Sequence, residues 1–239
     1  MRTLKVSVCL MAALLLCGCN PLMKATLANF KAVAGGPEDL ELTPAQIAEV
    51  RYPQLKLTTP SGVGVLAMVR ERGDLQYWVA SGKQVLLLRD GLAVRSVGLG
   101  FGGDLDGTRF AAVSPFKQGL HSLPDGYTSQ RWIDLYHGYE VGVAVNSRFT
   151  RHPMETIRIL DKEYAVMRVD ERIDAPAIGL HATNHYWVNP QNGYILQSEQ
   201  QLTAQLRVTI VQLTSERRTV RLTTADVFGS MRTARTATK

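Results

Sequence analysis

Between Pro53 and about residue 222 the chain carries no sustained helical period of apolar residues. Short runs rich in β-branched, aromatic and leucine side chains recur there instead, each closed by turn residues. Residues 63–70 lead to Glu71-Arg72-Gly73-Asp74, and residues 75–80 lead to Ser81-Gly82. Residues 85–89 lead to Asp90-Gly91, a strong two-residue hairpin signal, and residues 92–97 follow. A glycine-rich loop over 98–107 and a Pro/Gly-rich stretch over 114–126 interrupt the sheet. Strand runs resume at 131–136, 140–149, 156–160 and 164–170. They continue through 186–188, the turn Pro190-Gln191-Asn192-Gly193, 194–202 and 206–213. Regular short strands joined by hairpins predict a mainly β fold, one large antiparallel sheet curled into a sandwich or open barrel.

Two short helices precede the sheet. Leu22, Met23, Leu27, Phe30 and Val33 form a loose helical stripe that Gly35-Gly36-Pro37 stops. The second helix is better signed. Thr43 stands as N-cap, Pro44 at the first helical position and Gln46 where a capping box needs it, before Ile47 and Val50. Arg51-Tyr52-Pro53 ends it.

The three cysteines, Cys9, Cys17 and Cys19, all lie at the N-terminus, so a disulfide framework, a thiolate zinc site and a cysteine nucleophile are excluded from the body. Arg2 and Lys5 precede an apolar run from Val6 to Leu16, too short to cross a bilayer but suited to a secretory signal. Leu16-Cys17-Gly18-Cys19 resembles the bacterial lipobox, and Cys19 fits its lipidated position because the small Gly18 precedes it. A diacylglycerol on the thiol and a third chain on the freed amine add about 0.8 kcal/mol of membrane affinity per buried methylene. Asn20 follows; enterobacterial lipoproteins retained in the inner membrane carry aspartate there, so the resemblance implies the periplasmic face of the outer membrane.

The expected organisation is a signal peptide over 1–18, a lipidated N-terminus and tether over 19–40, one β-rich domain over 41–222 and a mobile basic tail over 223–239. Loss of the signal changes the charge from +6 to +4, because Arg2 and Lys5 leave with it. Arg232, Arg235 and Lys239 face no acid after Asp226, and without them the mature chain is +1. Charge alone therefore does not mark the body as a binder of acidic polymers, and nucleic acid is not an expected partner.

Candidate chemistry is sparse. Gly62-Val63-Gly64-Val65-Leu66-Ala67 matches a dinucleotide fingerprint, but β-rich sequence follows where the fingerprint requires a helix, so the glycines read as structural. Asp104-Leu105-Asp106-Gly107 starts like a calcium loop, yet Arg109 and Pro115 stand where its glycine and glutamate belong, so it reads as a surface loop. His181 and His185 have a spacing that suits zinc only on a helix; along a strand they lie roughly 13 Å apart. His121, His137 and His152 sit in unrelated contexts. Asp161 with Glu163 and Asp170 with Asp174 are the carboxylate pairs a glycan-cleaving enzyme would need about 5 to 9.5 Å apart. Trp78, Trp132 and Trp187 read first as fillers of a β core, with a platform for a glycan or a protein partner as the alternative role. No cofactor or metal is expected.

Several segments stand in a telling order: the lipobox, Leu42-Thr43-Pro44-Ala45-Gln46-Ile47 with Tyr52-Pro53, and Tyr77-Trp78-Val79-Ala80-Ser81-Gly82. Arg89-Asp90-Gly91, Val97-Gly98-Leu99-Gly100, Tyr186-Trp187-Val188-Asn189-Pro190 with Gly193, and Ser198-Glu199-Gln200 follow. Over about residues 10 to 215 this set resembles the YjbF/GfcB family of lipoproteins, associated with group 4 capsule and other exopolysaccharide export. The resemblance implies a lipoprotein-carrier-like curled sheet, an outer-membrane anchor and no known catalytic residues. It carries over one residue, Cys19, and leaves Trp187 and Gly193 as a core anchor and a hairpin glycine. The expected function is a non-enzymatic accessory role in polysaccharide assembly or export. The expected partners are the membrane, polysaccharide and a co-encoded outer-membrane β-barrel or periplasmic export protein. The alternatives are a polysaccharide-modifying enzyme using a carboxylate pair and a lipid or lipoprotein carrier with an apolar barrel mouth.

Overall fold

The computed structural model describes residues 40–81, 83–100 and 103–214, and the backbone of Lys31–Ala32. Cys19, most of the first expected helix and the basic tail lie outside the described residues; Lys31–Ala32, near the end of that expected helix, form a short strand instead. The strands are β1 (Lys31–Ala32), β2 (Gln54–Thr59), β3 (Gly62–Arg72), β4 (Leu75–Val79), β5 (Val85–Arg89) and β6 (Leu92–Val97). They continue with β7 (Leu105–Phe110), β8 (Thr128–Leu135), β9 (Glu140–Ile159), β10 (Lys162–Ala175), β11 (Leu180–Val188), β12 (Ile195–Gln201) and β13 (Arg207–Gln212). Two short helices are described, α1 (Pro44–Ala48) and α2 (Pro115–Gln118). α1 has the expected capping box: the Gln46 amide donates to Thr43 Oγ1 at 3.3 Å, and the Thr43 amide donates to Gln46 Oε1 at 2.9 Å.

The sheet runs in the order β6-β5-β4-β3-β2-β13-β12-β11-β10-β9-β8-β7, antiparallel throughout, with β1 paired to β3 off the path. It curls until it is nearly closed, as a barrel. Side chains close it where the ladder stops. Ser96 Oγ accepts from the Leu105 amide at 3.0 Å and donates to Asp104 Oδ1 at 2.9 Å. Asp104 Oδ2 also accepts from the Gly98 amide at 2.7 Å, and Arg95 pairs with Asp106 at 2.7 Å. The expected surface loop at Asp104 is thus the seam of the barrel, and Leu105 begins a strand that the glycines around it had hidden.

Other boundaries moved for comparable reasons. β2 follows Pro53 directly and alternates Leu55, Leu57 and Thr59 inward, a strand the sequence reading did not separate from the helix stop. β9 is one long strand through Pro153, because the register with β10 shifts between Met167 and Val169 and the proline stands in that bulge. β11 begins at Leu180 rather than Tyr186: its first half is polar on the outward face and also carries the buried Asn184 inward, so it lacks the apolar alternation of a strand.

The barrel interior is filled. Leu55, Leu57, Leu66, Trp78, Leu88 and Ile210 belong to one apolar cluster fed by strands from around the barrel. A second cluster brings Phe116, Leu120 and Leu123 from the segment between β7 and β8 against Phe149, Tyr186 and Val188. Phe116 meets Tyr186 edge-on at 5.2 Å and Phe149 at 6.1 Å between ring centroids. Each such buried side chain contributes about 1.5–3 kcal/mol. A cavity of about 10 Å³ remains, with Arg131, Asn184 and Gln200 among its lining residues and room for one water. This small cavity falls far short of the roughly 300–1,000 Å³ that drug-sized ligands occupy.

Strand alternation sets a polar layer between these clusters. Glu171 is wholly buried; Arg131 pairs with it, and Ser147 donates to it at 2.6 Å. Asn184 Nδ2 and Tyr186 Oη each donate to its other oxygen at 2.9 Å. Burial pushes the Glu171 carboxyl up, but Arg131 and the hydrogen bonds from Ser147 and Asn184 outweigh it and hold it below the ordinary range. Burial and the Glu171 charge together push the Tyr186 hydroxyl well up, so it stays a neutral donor. Gln200 completes the layer by serving the free edge of β6, accepting from the Ala93 amide and donating to the Gly91 carbonyl, both at 2.9 Å.

Two outcomes test this interior. A folded-state carboxyl held below its unfolded pKa gives stability that is present at neutral pH and lost as pH falls through the folded value. Arg131→Met strands the buried carboxylate and should cost about 3–5 kcal/mol at pH 7. Burial then raises the Glu171 pKa, so the gap to the parent protein should narrow as urea midpoints are followed from pH 7 towards pH 5. Asp104→Ala should cost about 1.5–3 kcal/mol and speed hydrogen exchange at Gly98, Leu99 and Leu105 ahead of the core amides.

Candidate functional site

With every second side chain of β8–β11 buried inside, the alternate residues form an outward polar face. Register places them in rows. Thr128, Arg148, Arg172 and Thr183 stand directly across from one another on four successive strands. Gln130, Asn146, Asp174 and His181 form the next row. Thr150, Asp170, His185 and Glu199 form the row on the other side.

The densest contacts centre on Asp170. His185 Nδ1 lies 2.7 Å from Asp170 Oδ1, His152 Nε2 lies 2.9 Å from Oδ2, and Arg168 Nε lies 3.2 Å from Oδ1. Arg168 Nη2 is also 3.2 Å from His152 Nδ1. The His185 ring leans on Trp187 at 6.2 Å between centroids, and Trp187 Nε1 donates to Glu155. Asp170 thus hydrogen-bonds His185 and lies within ion-pair distance of His152 and Arg168. Beyond it, Asp174 pairs with His181, and Arg207 pairs with Glu199 at 3.5 Å.

A polar groove of about 530 Å³ opens on this side, lined by Thr128, Gln130, Asn146, Arg148, Arg172 and Asp174 among others. β7 pairs with β8 only as far as Arg131, so Thr128–Gln130 have no strand on that flank. Another groove, about 390 Å³, lies where the described chain begins and ends, beside Leu40 and Leu213.

The residues singled out in the sequence are dispersed. Trp78 is 2% exposed and packs in the barrel core with its Nε1 on Gln76, so it has no face to offer a glycan or a partner. Trp132 is half-buried on the outer side, opposite Arg109 and Ala144. Trp187 is half-buried too, packed against an outer apolar cluster built on Ile47, Ile159, Val166 and Leu213. Asp161 and Glu163 are exposed around the β9–β10 turn. Asp170 and Asp174 lie about 13 Å apart along β10, beyond the range of a glycosidase pair, and each holds its own histidine. Among the described residues no group of three or more His, Cys, Asp or Glu is placed to hold a metal ion. The Gly62 to Ala67 motif runs into β3 with no helix after it.

His152 and His185 meet at Asp170 because of strand register, which spacing along the chain does not reveal. The legible signal was the alternation itself: Arg168, Asp170, Arg172 and Asp174 on one run, and His181, Thr183 and His185 on another. Gly193 does form a hairpin turn, at φ +77°, and the space a Cβ would occupy there is taken by the His121 ring. Gly91 is closed in the same way by Ile195.

The crystal structure of the hypothetical lipoprotein YmcC from Escherichia coli superposes with a TM-score of 0.65 at 18% identity, covering 72% of this chain and 89% of that one. This likeness shows a shared fold. A Bacteroides fragilis protein with a YmcC-like fold gives 0.31 at 13% identity, over 69% of this chain and 95% of that one. A Parabacteroides distasonis lipoprotein gives 0.32 at 12% identity, over 67% and 92%. Both are too distant to carry an argument. No curated protein matches the chain. The family model described as group 4 capsule polysaccharide lipoprotein GfcB, YjbF matches residues 27–213, so the chain belongs to that lipoprotein family.

Proposed function

We propose that this protein is a non-enzymatic accessory factor in the assembly or export of a capsular or related extracellular polysaccharide, held at the periplasmic face of the outer membrane by lipid on Cys19. The observation that carries the reading is the family match across residues 27–213, whose description names both the capsule polysaccharide and the lipoprotein character. The lipobox at Leu16 to Cys19 supports the anchor, and among the described residues no helix is long and apolar enough to cross a membrane.

The geometry supports a binding role over catalysis. A hydrolase needs an acid and a second carboxylate or a water-activating base set across a cleft. Here the candidate carboxylates are either exposed around a hairpin turn or tied to separate histidines. The filled interior argues against carriage of a lipid inside the barrel, so the surface that remains for recognition is the outer face. On this reading the partners are the polysaccharide and a co-encoded outer-membrane β-barrel or periplasmic export protein.

Deleting the gene and measuring surface and secreted polysaccharide under inducing conditions tests the role. A marked fall is expected, restored by the full-length protein; unchanged polysaccharide would sink it. For the anchor, Cys19→Ala should move the protein from the membrane to the soluble periplasmic fraction, and Asn20→Asp should shift it towards the inner membrane. Retention of Cys19→Ala in the outer-membrane fraction would end the lipidation reading.

A further inference from the structure

Arg148 and Arg172 stand directly opposite each other across β9 and β10, on the same outward face. Like charges in that position repel and destabilise a sheet. Both side chains are exposed, and neither guanidinium has a hydrogen bond or ion pair among the described residues. The acids nearby are already engaged: Asp170 by Arg168, His152 and His185; Asp174 by His181; Glu199 by Arg207. The repulsion is therefore left uncompensated by the protein itself, in the floor of a groove of about 530 Å³. Besides Asp174, which pairs with His181, the flanking residues include the uncharged hydrogen-bonding groups Thr128, Gln130 and Asn146, with Gln130 Nε2 bonded to Asn146 Oδ1 at 2.9 Å. Ser129 Oγ, another lining atom, is buried without a partner.

We infer that this groove binds a segment of acidic polysaccharide, with Arg148 and Arg172 gripping its carboxylates. The inference rests on the proposed role in polysaccharide assembly or export and names the ligand chemistry of its binding face. A guanidinium is a planar fork that matches a carboxylate with two parallel hydrogen bonds, and two such arginines facing each other on neighbouring strands, whose backbones lie about 4.8 Å apart, suit a polymer with recurring acidic groups. Thr128, Gln130 and Asn146 supply donors and acceptors of the kind that sugar hydroxyls pair with. The groove's lining has no aromatic or aliphatic anchor of the kind that dominates protein interfaces, and nothing that would hold an acyl chain. The repulsion between the two arginines is relieved when the anion arrives.

Calorimetry on the detergent-solubilised full-length lipoprotein, with polygalacturonate and its carboxyl-reduced counterpart as probes, tests this. The parent protein should bind the acidic polymer, more weakly at higher salt, and bind the reduced polymer at least tenfold less tightly. Arg148→Gln and Arg172→Gln should each weaken binding about tenfold, and the double variant should abolish it. Lys162→Gln, an exposed cation at the β9–β10 turn, should leave affinity unchanged. Neither arginine variant should melt below the parent, since each removes a repulsion. Binding that ignores Arg148 and Arg172, binding that ignores carboxyl reduction, or no binding overturns the inference. So does Arg-dependent binding to phosphatidylglycerol vesicles without binding to the acidic polymer. In cells lacking the gene, full export restored by the double variant defeats the groove while leaving the proposed role intact; export unaffected by the deletion defeats the role itself.

Discussion

The wholly buried Glu171 is the fixed point of this barrel. Its two oxygens take Arg131, Ser147, Asn184 and Tyr186, one or two contacts from each of β8, β9 and β11 onto β10. A slip of one residue on any of these strands would carry its contact to the opposite face and leave a buried charge unmatched. The apolar layers on either side tolerate repacking among similar volumes, whereas this layer does not. The register it enforces is also what lines up the outward rows. Arg148 faces Arg172, and Asp170 faces His185, because Ser147, Glu171 and Asn184 are held within.

Much of the fold could be read in the sequence where local chemistry decides it. Asp90-Gly91 and Pro190-Gln191-Asn192-Gly193 are turns by composition, and the Thr43 capping box is local by definition. β7 was hidden for the opposite reason. Its residues Leu105–Phe110 bury only Leu105, and the strand is imposed by pairing with β8 and by Asp104 at the seam. The runs 140–149 and 156–160 are joined into β9 across Pro153, because the bulge opposite Arg168 is a tertiary accommodation that local sequence does not show.

The outer face was half legible. Its residues alternate with apolar ones in plain view, but their meeting depends on which strand lies beside which. His152 and His185 come together only through β10, so separation along the chain gave no hint of a shared aspartate. Trp78 is the converse case, a core ring with polar neighbours. Its neighbours Gln76 and Tyr77 gave it a polar setting in the sequence, whereas the curl of the sheet puts its ring inside.

The join between β6 and β7 has a consequence for how such a barrel can vary. Because Ser96, Asp104 and Arg95 close it rather than a continuous ladder, its circumference is not locked by matched backbone pairing. A closed ladder accepts a new strand only if every bond around it is re-registered. Here an inserted hairpin would disturb a few side chains and no strand pair, so the stretch between Val97 and Leu105 is where an evolving lineage can widen the wall without rebuilding the rest.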